Sequence, residues 1–583
     1  MSENIKLKIN NIEVDVADGT TILDAATKAG VRIPTLCYLK DINGIGACRM
    51  CLVEVTGARG LMASCVTPAT DGMEVFTNTK KLRDARRTNL ELMLSNHRTD
   101  CLSCSRSTTC ELQALSLEYG AGLDRFVRAT TTPDYEISTP HLVRDNSKCI
   151  LCRRCTAVCR SNQHVGVISP VNRGYATHIA SAFDMPLGET ACINCGQCIS
   201  VCPTGALSEV DDTCKVWDAI ADETKHVVVA PAPSVRVQLG ECFDMPIGTN
   251  VHGKLAASLR RLGFDKVFDV DTAADLTILE EGTELLSRIK NGGKLPLITS
   301  CSPGWIKFCE TYYPDFIENL SSCKSPQQMF GAIAKTYYAE KAGIDPKDIF
   351  VVSIMPCTAK KFELGREGQN ASGYPDIDFS LTTRELASMI KRAGIVFEEL
   401  PDEDFDPAFG VASGAGHIFG ATGGVMEAAL RTVAEIVTGK PLDTPEFHDV
   451  RGTNDIKEAE YDLAGTKVRV AVTSGLENAH KLLEMIKSGE KDYHFIEVMA
   501  CPGGCVNGGG QPHQPGYVRN NIDLRAERAK GLYSQDSGMA LRKSHENPVV
   551  KELYDTYLKE PGSHKAHEIL HTGYVARDRF DHK

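Results

Sequence analysis

Cysteine constrains this chain more than any other residue type. The 583 residues hold 23 cysteines, most of them in short runs with two or three residues between neighbours. The first residues, MSENIKLKIN, are polar and read as a strand, with no apolar signal core and no twin-arginine pair, so the expected location is cytoplasmic. In a reducing compartment clustered cysteines point to metal, not to a disulfide framework. The formal net charge of -12 argues against broad nucleic-acid binding. No apolar run is long enough to span a bilayer. The length calls for three to five domains.

The cysteine spacings divide the first third of the chain. Residues 1–80 read as a ferredoxin-like domain, with IKLKIN and NIEVDVA as a hairpin and TTILDAATKAG as a helix capped by Thr20 or Thr21. Cys37, Cys48, Cys51 and Cys65 follow as C-x10-C-x2-C-x13-C on a Gly-containing loop, which suits a [2Fe–2S] cluster, with a structural zinc as the alternative. Residues 81–140 carry His97, Cys101, Cys104 and Cys110 as H-x3-C-x2-C-x5-C, a set that holds either zinc or a [4Fe–4S] cluster. Residues 141–210 contain two C-x2-C-x2-C-x3-C runs, Cys149, Cys152, Cys155, Cys159 and Cys192, Cys195, Cys198, Cys202. This is the two-cluster ferredoxin pattern, in which each fourth cysteine reaches the other cluster. Cys149, Cys152, Cys155 and Cys202 are expected on one cubane, and Cys192, Cys195, Cys198 and Cys159 on the other. The first run ends in Cys159-Arg160 where Cys-Pro is usual.

From Val227 the texture changes. KVFDV, LPLITSC, IFVVSIMPC, KVRVAVTSG and YHFIEVMAC read as buried strands, separated by helices such as LTILEEGTELLSRIK and QQMFGAIAKTYYAEKA. That alternation predicts an α/β domain, residues 211–515, with largely parallel sheets. Three of the strands are read as ending in cysteine, at Cys301, Cys357 and Cys501. Ligands bind beyond the carboxyl ends of such strands, so these thiols and Cys505 predict one further cluster site. GAGHIFG (414–420) is G-x-G-x-x-x-G and does not open a convincing βαβ unit, so nucleotide binding is not expected there. Residues 516–583 read as a helical wrap without further cysteine. Cys214, Cys242, Cys309 and Cys323 are read as small buried hydrophobes without ligand-like neighbours.

TSCSPGW (299–305), MPCTAKKFE (355–363) and EVMACPGGCVNGGGQP (497–512) resemble the three signature segments of [FeFe]-hydrogenase catalytic subunits. The cluster modules resemble those of the large clostridial monomeric type and of the matching subunit of multimeric NAD(P)-linked types, and the tail resembles the family's small subunit. The resemblance implies reversible H2 oxidation and proton reduction at an H-cluster: a [4Fe–4S] cubane joined through a cysteine sulfur to a di-iron unit with CO, cyanide and azadithiolate. The implied architecture is multidomain α/β and α+β: a β-grasp [2Fe–2S] domain, a His/Cys cluster domain, a two-cluster bacterial ferredoxin domain and an α/β H-cluster domain. The implied cofactors are one [2Fe–2S] cluster, three accessory [4Fe–4S] clusters and the H-cluster.

By the same resemblance Cys505 matches the bridging cysteine, and Cys357 and Cys501 match cubane ligands. Lys360 would pair with a cyanide and Ser234 would hydrogen-bond one. Pro233, Pro326, Gln327, Met355, Phe419 and Met499 would wall the pocket. The family usually reads TSCCP, where the second cysteine ligates the cubane and the first passes protons. Ser302 stands in the second position, which leaves the fourth ligand open between Ser302 and Cys301. The implied proton relay runs through Cys301, Glu281, Ser321, Glu284 and Arg288. Offsets of three and seven independently place Glu284 and Arg288 on the same helix face as Glu281. Electrons would leave through the N-terminal clusters to ferredoxin, flavodoxin or a flavin- or NAD(P)-binding subunit, and maturation proteins would supply the di-iron unit. Two other readings stay open: an electron-transfer subunit like that of NADH dehydrogenase, and a sensory or cluster-assembly relative with little turnover.

Overall fold

The computed structural model describes residues 4–127, 135–453, 455–463 and 465–580. Its first unit is a five-stranded mixed sheet. Asn4–Ile9 and Ile12–Ala17 pair as an antiparallel hairpin, and Glu74–Phe76 runs parallel to the first of them. Asn10 and Asn11 close the hairpin with φ of 49° and 68°, the left-handed pair that a two-residue turn demands. The helix Ile22–Lys28 begins at Thr21, whose side chain accepts from the Asp24 amide. Its inner face meets Ile9, Val14 and Val53 in a small core.

The cluster-rich middle of the chain has little regular structure. A three-stranded antiparallel sheet (Tyr135–Glu136, Leu142–Asp145, Leu207–Glu209) and short helical turns frame two four-cysteine loops. Buried residues such as Leu142, Ile168, Ile199 and Leu207 pack against the cysteines themselves.

Two sheets build the large domain. In the first, Lys266–Val267, His226–Pro231, Ile349–Met355 and Phe379–Thr382 are parallel in that order. In the second, Leu297–Ile298, Phe495–Met499 and Thr466–Ser474 are parallel, and Ile456–Leu463 closes the edge antiparallel. Val227, Val228, Val229 and Ala230 are all buried, the continuous apolar run expected of a strand covered on both faces. The helix Val270–Asn291 starts at an Asp269 cap and stops at Gly292 in the left-handed region. It packs against Pro326–Ile333 and Gly424–Thr438.

The strands end earlier than the sequence reading placed them. They stop at Ile298, Met355 and Met499, and Cys301, Cys357 and Cys501 lie in the loops beyond. Pro356 removes the amide that would extend the middle one. KVFDV contributes only Lys266–Val267, because Asp269 already caps a helix. GAGHIFG forms the short helix Gly414–Ile418. The tail lies along the large domain, where Leu570 and Thr572 exchange backbone hydrogen bonds with Lys324 and Ser322. No helix among the described residues is long and apolar enough to cross a membrane.

Candidate active site and metal centres

The carboxyl ends of both parallel sheets open onto one cavity. It leaves ≈ 820 Å³ free of protein atoms and is lined by Cys301, Ser302, Cys357, Cys501 and Cys505. Pro233, Pro326, Gln327, Met355, Phe419 and Met499 form much of the remaining wall, and Lys360 reaches in as a cation. Burial pushes the Cys357 and Cys501 thiols up from their ordinary range and Cys505 up to about 12. Three thiols in so dry a place become thiolates only if a bound cation supplies the compensating charge. Ser234 is fully buried and its Oγ has no partner among the described protein atoms.

Lys360 Nζ donates to the Cys301 carbonyl at 3.1 Å and to Glu363 at 2.9 Å. Glu363 also accepts from Ser325 Oγ and Gln327 Nε2, so one carboxylate orients three groups on this wall. The sequence reading quoted Glu363 within its motif but gave it no role; its i, i+3 offset from Lys360 on a short helix was the available signal. Arg236, also unremarked, is fully buried between Asp269 and Asp271, and its Nε holds the Pro233 carbonyl at 2.9 Å. That pairing fixes the loop that carries Ser234.

Cys301 and Ser302 do not do the same thing. Burial pushes the Cys301 thiol well up, the Glu281, Cys505 and Glu497 charges add to that, and Lys360 opposes it. Ser302 Oγ accepts the Ala500 amide at 3.2 Å, next to Cys501; Ser302 stands at the N-terminal cap position of the helix Pro303–Tyr312, with no side-chain bond to that helix. Beyond Cys301 a polar chain leads outward. Glu281 lies beside Ser321, Ser321 Oγ donates to Glu284 at 3.1 Å, and Glu284 accepts from Arg288 at 2.5 Å. Burial raises the Glu281 carboxyl to about 8, aided by the nearby Glu284 charge and opposed by the Ser321 hydrogen bond. Glu284 also meets Ser322, which bonds His571 of the tail at 2.8 Å.

Two smaller cavities sort the ferredoxin-type cysteines. Cys149, Cys152, Cys155 and Cys202 line one; Cys159, Cys192, Cys195 and Cys198 line the other. Cys195 lines both the second of these and the large cavity. The two domains touch closely there. Thr358 Oγ1 donates to the Asn194 carbonyl at 2.8 Å, and Gln197 Nε2 to the Asn507 carbonyl at 2.7 Å. A Cβ on Gly509 would stand 2.2 Å from the Cys195 carbonyl oxygen.

Outward from the first cavity, a Cβ on Gly205 would meet Cys104 Sγ at 2.4 Å, which places the His97/Cys101/Cys104/Cys110 segment beside it. His97 is buried and its ring is held neutral, chiefly by burial, with its pKa lowered to about 4. Asn43 Nδ2 donates to the carbonyls of both Cys37 and Cys152, tying the loop of Cys37, Cys48, Cys51 and Cys65 to the same cavity. Cys51 and Cys65 approach to 3.2 Å between sulfurs.

Two expectations for the leftover cysteines need correcting. Cys214 is exposed, because the helix Thr213–Ala221 turns it to solvent. Cys323 is buried, but its Sγ lies within 4.8 Å of ligand atoms of Glu284 and His571, brought together by the docked tail.

Comparison with known proteins agrees with this arrangement. The family "Iron only hydrogenase large subunit, C-terminal domain" matches residues 225–509, and "Iron hydrogenase small subunit" matches 522–577. A 2Fe-2S iron-sulfur cluster binding domain matches 2–80, the NADH-ubiquinone oxidoreductase-G iron-sulfur binding region 86–123, and a 4Fe-4S dicluster domain 148–206. The NADP-reducing hydrogenase subunit HndD of Solidesulfovibrio fructosivorans is 49% identical over 99% of this chain and 100% of its own. This chain belongs to the [FeFe]-hydrogenases.

Iron hydrogenase 1 of Clostridium pasteurianum is 44% identical over 97% of the hydrogenase described here and 99% of its own length. The apo [FeFe]-hydrogenase HydA1 from Chlamydomonas reinhardtii superposes with a TM-score of 0.56 at 45% identity, covering 62% of this chain and 99% of that one. The hydrogenase therefore catalyses H2 chemistry on iron–sulfur cofactors within a multidomain α/β framework. Its large cavity fits an H-cluster on the chemistry of its donors. Soft thiols converge from distant loops, Lys360 lines the wall, and the unpartnered Ser234 hydroxyl follows directly on Pro233, which lines the cavity. The wall tolerates no bulk: a Cβ on Gly504 would stand 2.6 Å from the Thr422 amide, and one on Gly420 3.0 Å from Ser234 Cβ.

Proposed function

We propose that the hydrogenase holds its H-cluster through Cys357, Cys501 and Cys505, with Ser302 in the fourth ligand's place and Cys505 as the bridge. The supporting observation is the convergence of these residues on one buried cavity whose wall also contains Cys195. When bound, the H-cluster supplies heterolytic cleavage of H2 and accepts its electrons. Lys360 would donate to a cyanide, as would the Ser234 hydroxyl; charge-assisted bonds of this kind suit a small anion in a dry cavity. Cys301 would take and return the proton, passing it by Glu281, Ser321 and Glu284 to Arg288 at the edge. The same Glu284 bonds Ser322, which leads to His571.

Electrons would pass from Cys195's cubane to the one held by Cys149, Cys152, Cys155 and Cys202. From there two routes reach the surface, a His97-ligated [4Fe–4S] cluster and a [2Fe–2S] cluster. The full complement is then one [2Fe–2S] cluster, three accessory [4Fe–4S] clusters and the H-cluster. The outer partner is ferredoxin, flavodoxin or a flavin- or NAD(P)-binding subunit, the last favoured by likeness to an NADP-reducing hydrogenase subunit. Maturation proteins would deliver the di-iron unit.

The test is infrared spectroscopy of the matured protein for CO and cyanide bands, together with H2-dependent dye reduction. Cys505→Ser should lose those bands and the activity while the accessory clusters remain, because a hydroxyl is a poor substitute for a soft thiolate bridge. Full activity with intact bands in that variant would refute the bridging role.

A further inference from the structure

The sheet formed by Tyr135–Glu136, Leu142–Asp145 and Leu207–Glu209 stands between the two ferredoxin-type cavities. Its central strand carries Arg144, whose side chain lines both of them. Arg144 is only 6% exposed. Glu136 lies 3.7 Å from its Nη2, too far for a good hydrogen bond. Nε and Nη1 are buried and have no partner among the described protein atoms. A guanidinium cannot shed its proton, and N–H groups left unmet in a dry interior are costly. An acceptor belongs beside them on each side.

We propose that Arg144 donates to the sulfur of both cubanes and raises the two reduction potentials together. The inference rests on the reading that each cavity holds a [4Fe–4S] cluster. A reduced cluster carries one more negative charge than an oxidised one, so a fixed cation beside it stabilises the reduced form more. One cation placed between two clusters moves both potentials in the same direction. The step between them stays close to level, and an electron from the Cys195 side is not held on either cluster. The strand pairing needs only the backbone of Arg144, which bonds on both sides through Leu207 and Glu136 register partners. Nε and Nη1 of the guanidinium are left for the clusters.

The experiment is an EPR-monitored redox titration of the reconstituted full-length protein, with iron and acid-labile sulfide counted alongside. In Arg144→Met both cubanes should become harder to reduce by at least about tenfold in the one-electron equilibrium, which is 59 mV. The [2Fe–2S] potential should not move. Arg144→Lys keeps the charge and should hold both potentials nearer the parent than the Met variant does; an equal shift in both variants would overturn the charge argument. If Arg144→Met loses a cluster, Glu136→Gln carries the test. Removing the carboxylate that screens Arg144 should raise both potentials, and unchanged or lowered values would overturn the proposal. Unmoved cubane potentials in a fully loaded Arg144→Met protein would overturn it as well. Absence of two cubane signals from the parent protein would instead defeat the cluster reading beneath it.

Discussion

Glu281 lies beside Ser321 and within electrostatic reach of the Cys301 thiol, and burial has raised its pKa to about 8. Below that pH it is a neutral acid able to donate; above it, a carboxylate able to accept. H2 production needs the donor and should decline as pH rises through about 8. H2 oxidation needs the acceptor and should rise over the same interval. Rates measured in both directions across that range, with reductant or H2 in excess, check the sign. Glu281→Gln should cut turnover by about 10² or more in both directions, the usual scale for a positioned proton-transfer group. Cluster content should stay unchanged; normal rates at all pH values would place the proton path elsewhere. At the cavity wall, Ser302 and Cys301 make opposite predictions. With Ser302 in the ligand's place, Cys301→Ala should keep the cubane and lose turnover. Ser302→Cys should raise the cubane potential, because a thiolate is the softer ligand. Loss of the cubane itself in Cys301→Ala would hand the ligand role to Cys301.

At the scale of elements, the contact between the ferredoxin-type loops and the large domain is made of glycine against backbone. Gly196 has a φ of +66°, and a Cβ on it would meet Thr358 Oγ1 at 2.3 Å. Gly509 faces the Cys195 carbonyl at a distance that leaves no room for a methyl group. Gly509→Ala should cost about 1–3 kcal/mol of packing and push the two loops apart. The expected result is a lower temperature for loss of the cluster signals. Dye-linked H2 oxidation should also slow, with CO and cyanide bands unshifted. A variant with parent stability and rate would show that the approach is not needed.

Across the whole molecule, the proposed cluster sites would form a line that forks. Cys195 joins the catalytic cavity to the second ferredoxin-type cavity, and Arg144 spans that cavity and the first. At the first cavity the Cys104 segment approaches Gly205, and Asn43 ties in the loop of Cys37 through the Cys152 carbonyl. A fork lets one branch fail without silencing the enzyme. Cys48→Ser, which would remove a proposed ligand of the [2Fe–2S] site, should abolish that cluster's EPR signal and leave viologen-linked H2 oxidation unchanged. Collapse of the dye-linked rate, with the cubanes intact, would mean that electrons reach the dye only through that branch.

Cysteine spacing, strand texture and three short signature segments were enough to determine that this is an [FeFe]-hydrogenase with N-terminal iron–sulfur domains. Local patterns also narrowed the first helix cap to Thr20 or Thr21 and placed the alternation of the large domain and the helix face shared by Glu281, Glu284 and Arg288, because each depends on neighbours within a few residues. Three-dimensional packing decided the rest. Glu363 became an organiser of Lys360, Ser325 and Gln327 only where two helices meet. His571 reached Ser322 from 249 residues away, once the tail had docked. Arg144 looks like any charged residue in a strand until two cavities form on either side of it. Such contacts join residues far apart in the chain, and no periodicity records them. What burial does to a charge, whether for Glu281, Cys505 or Arg144, is settled by everything that surrounds it.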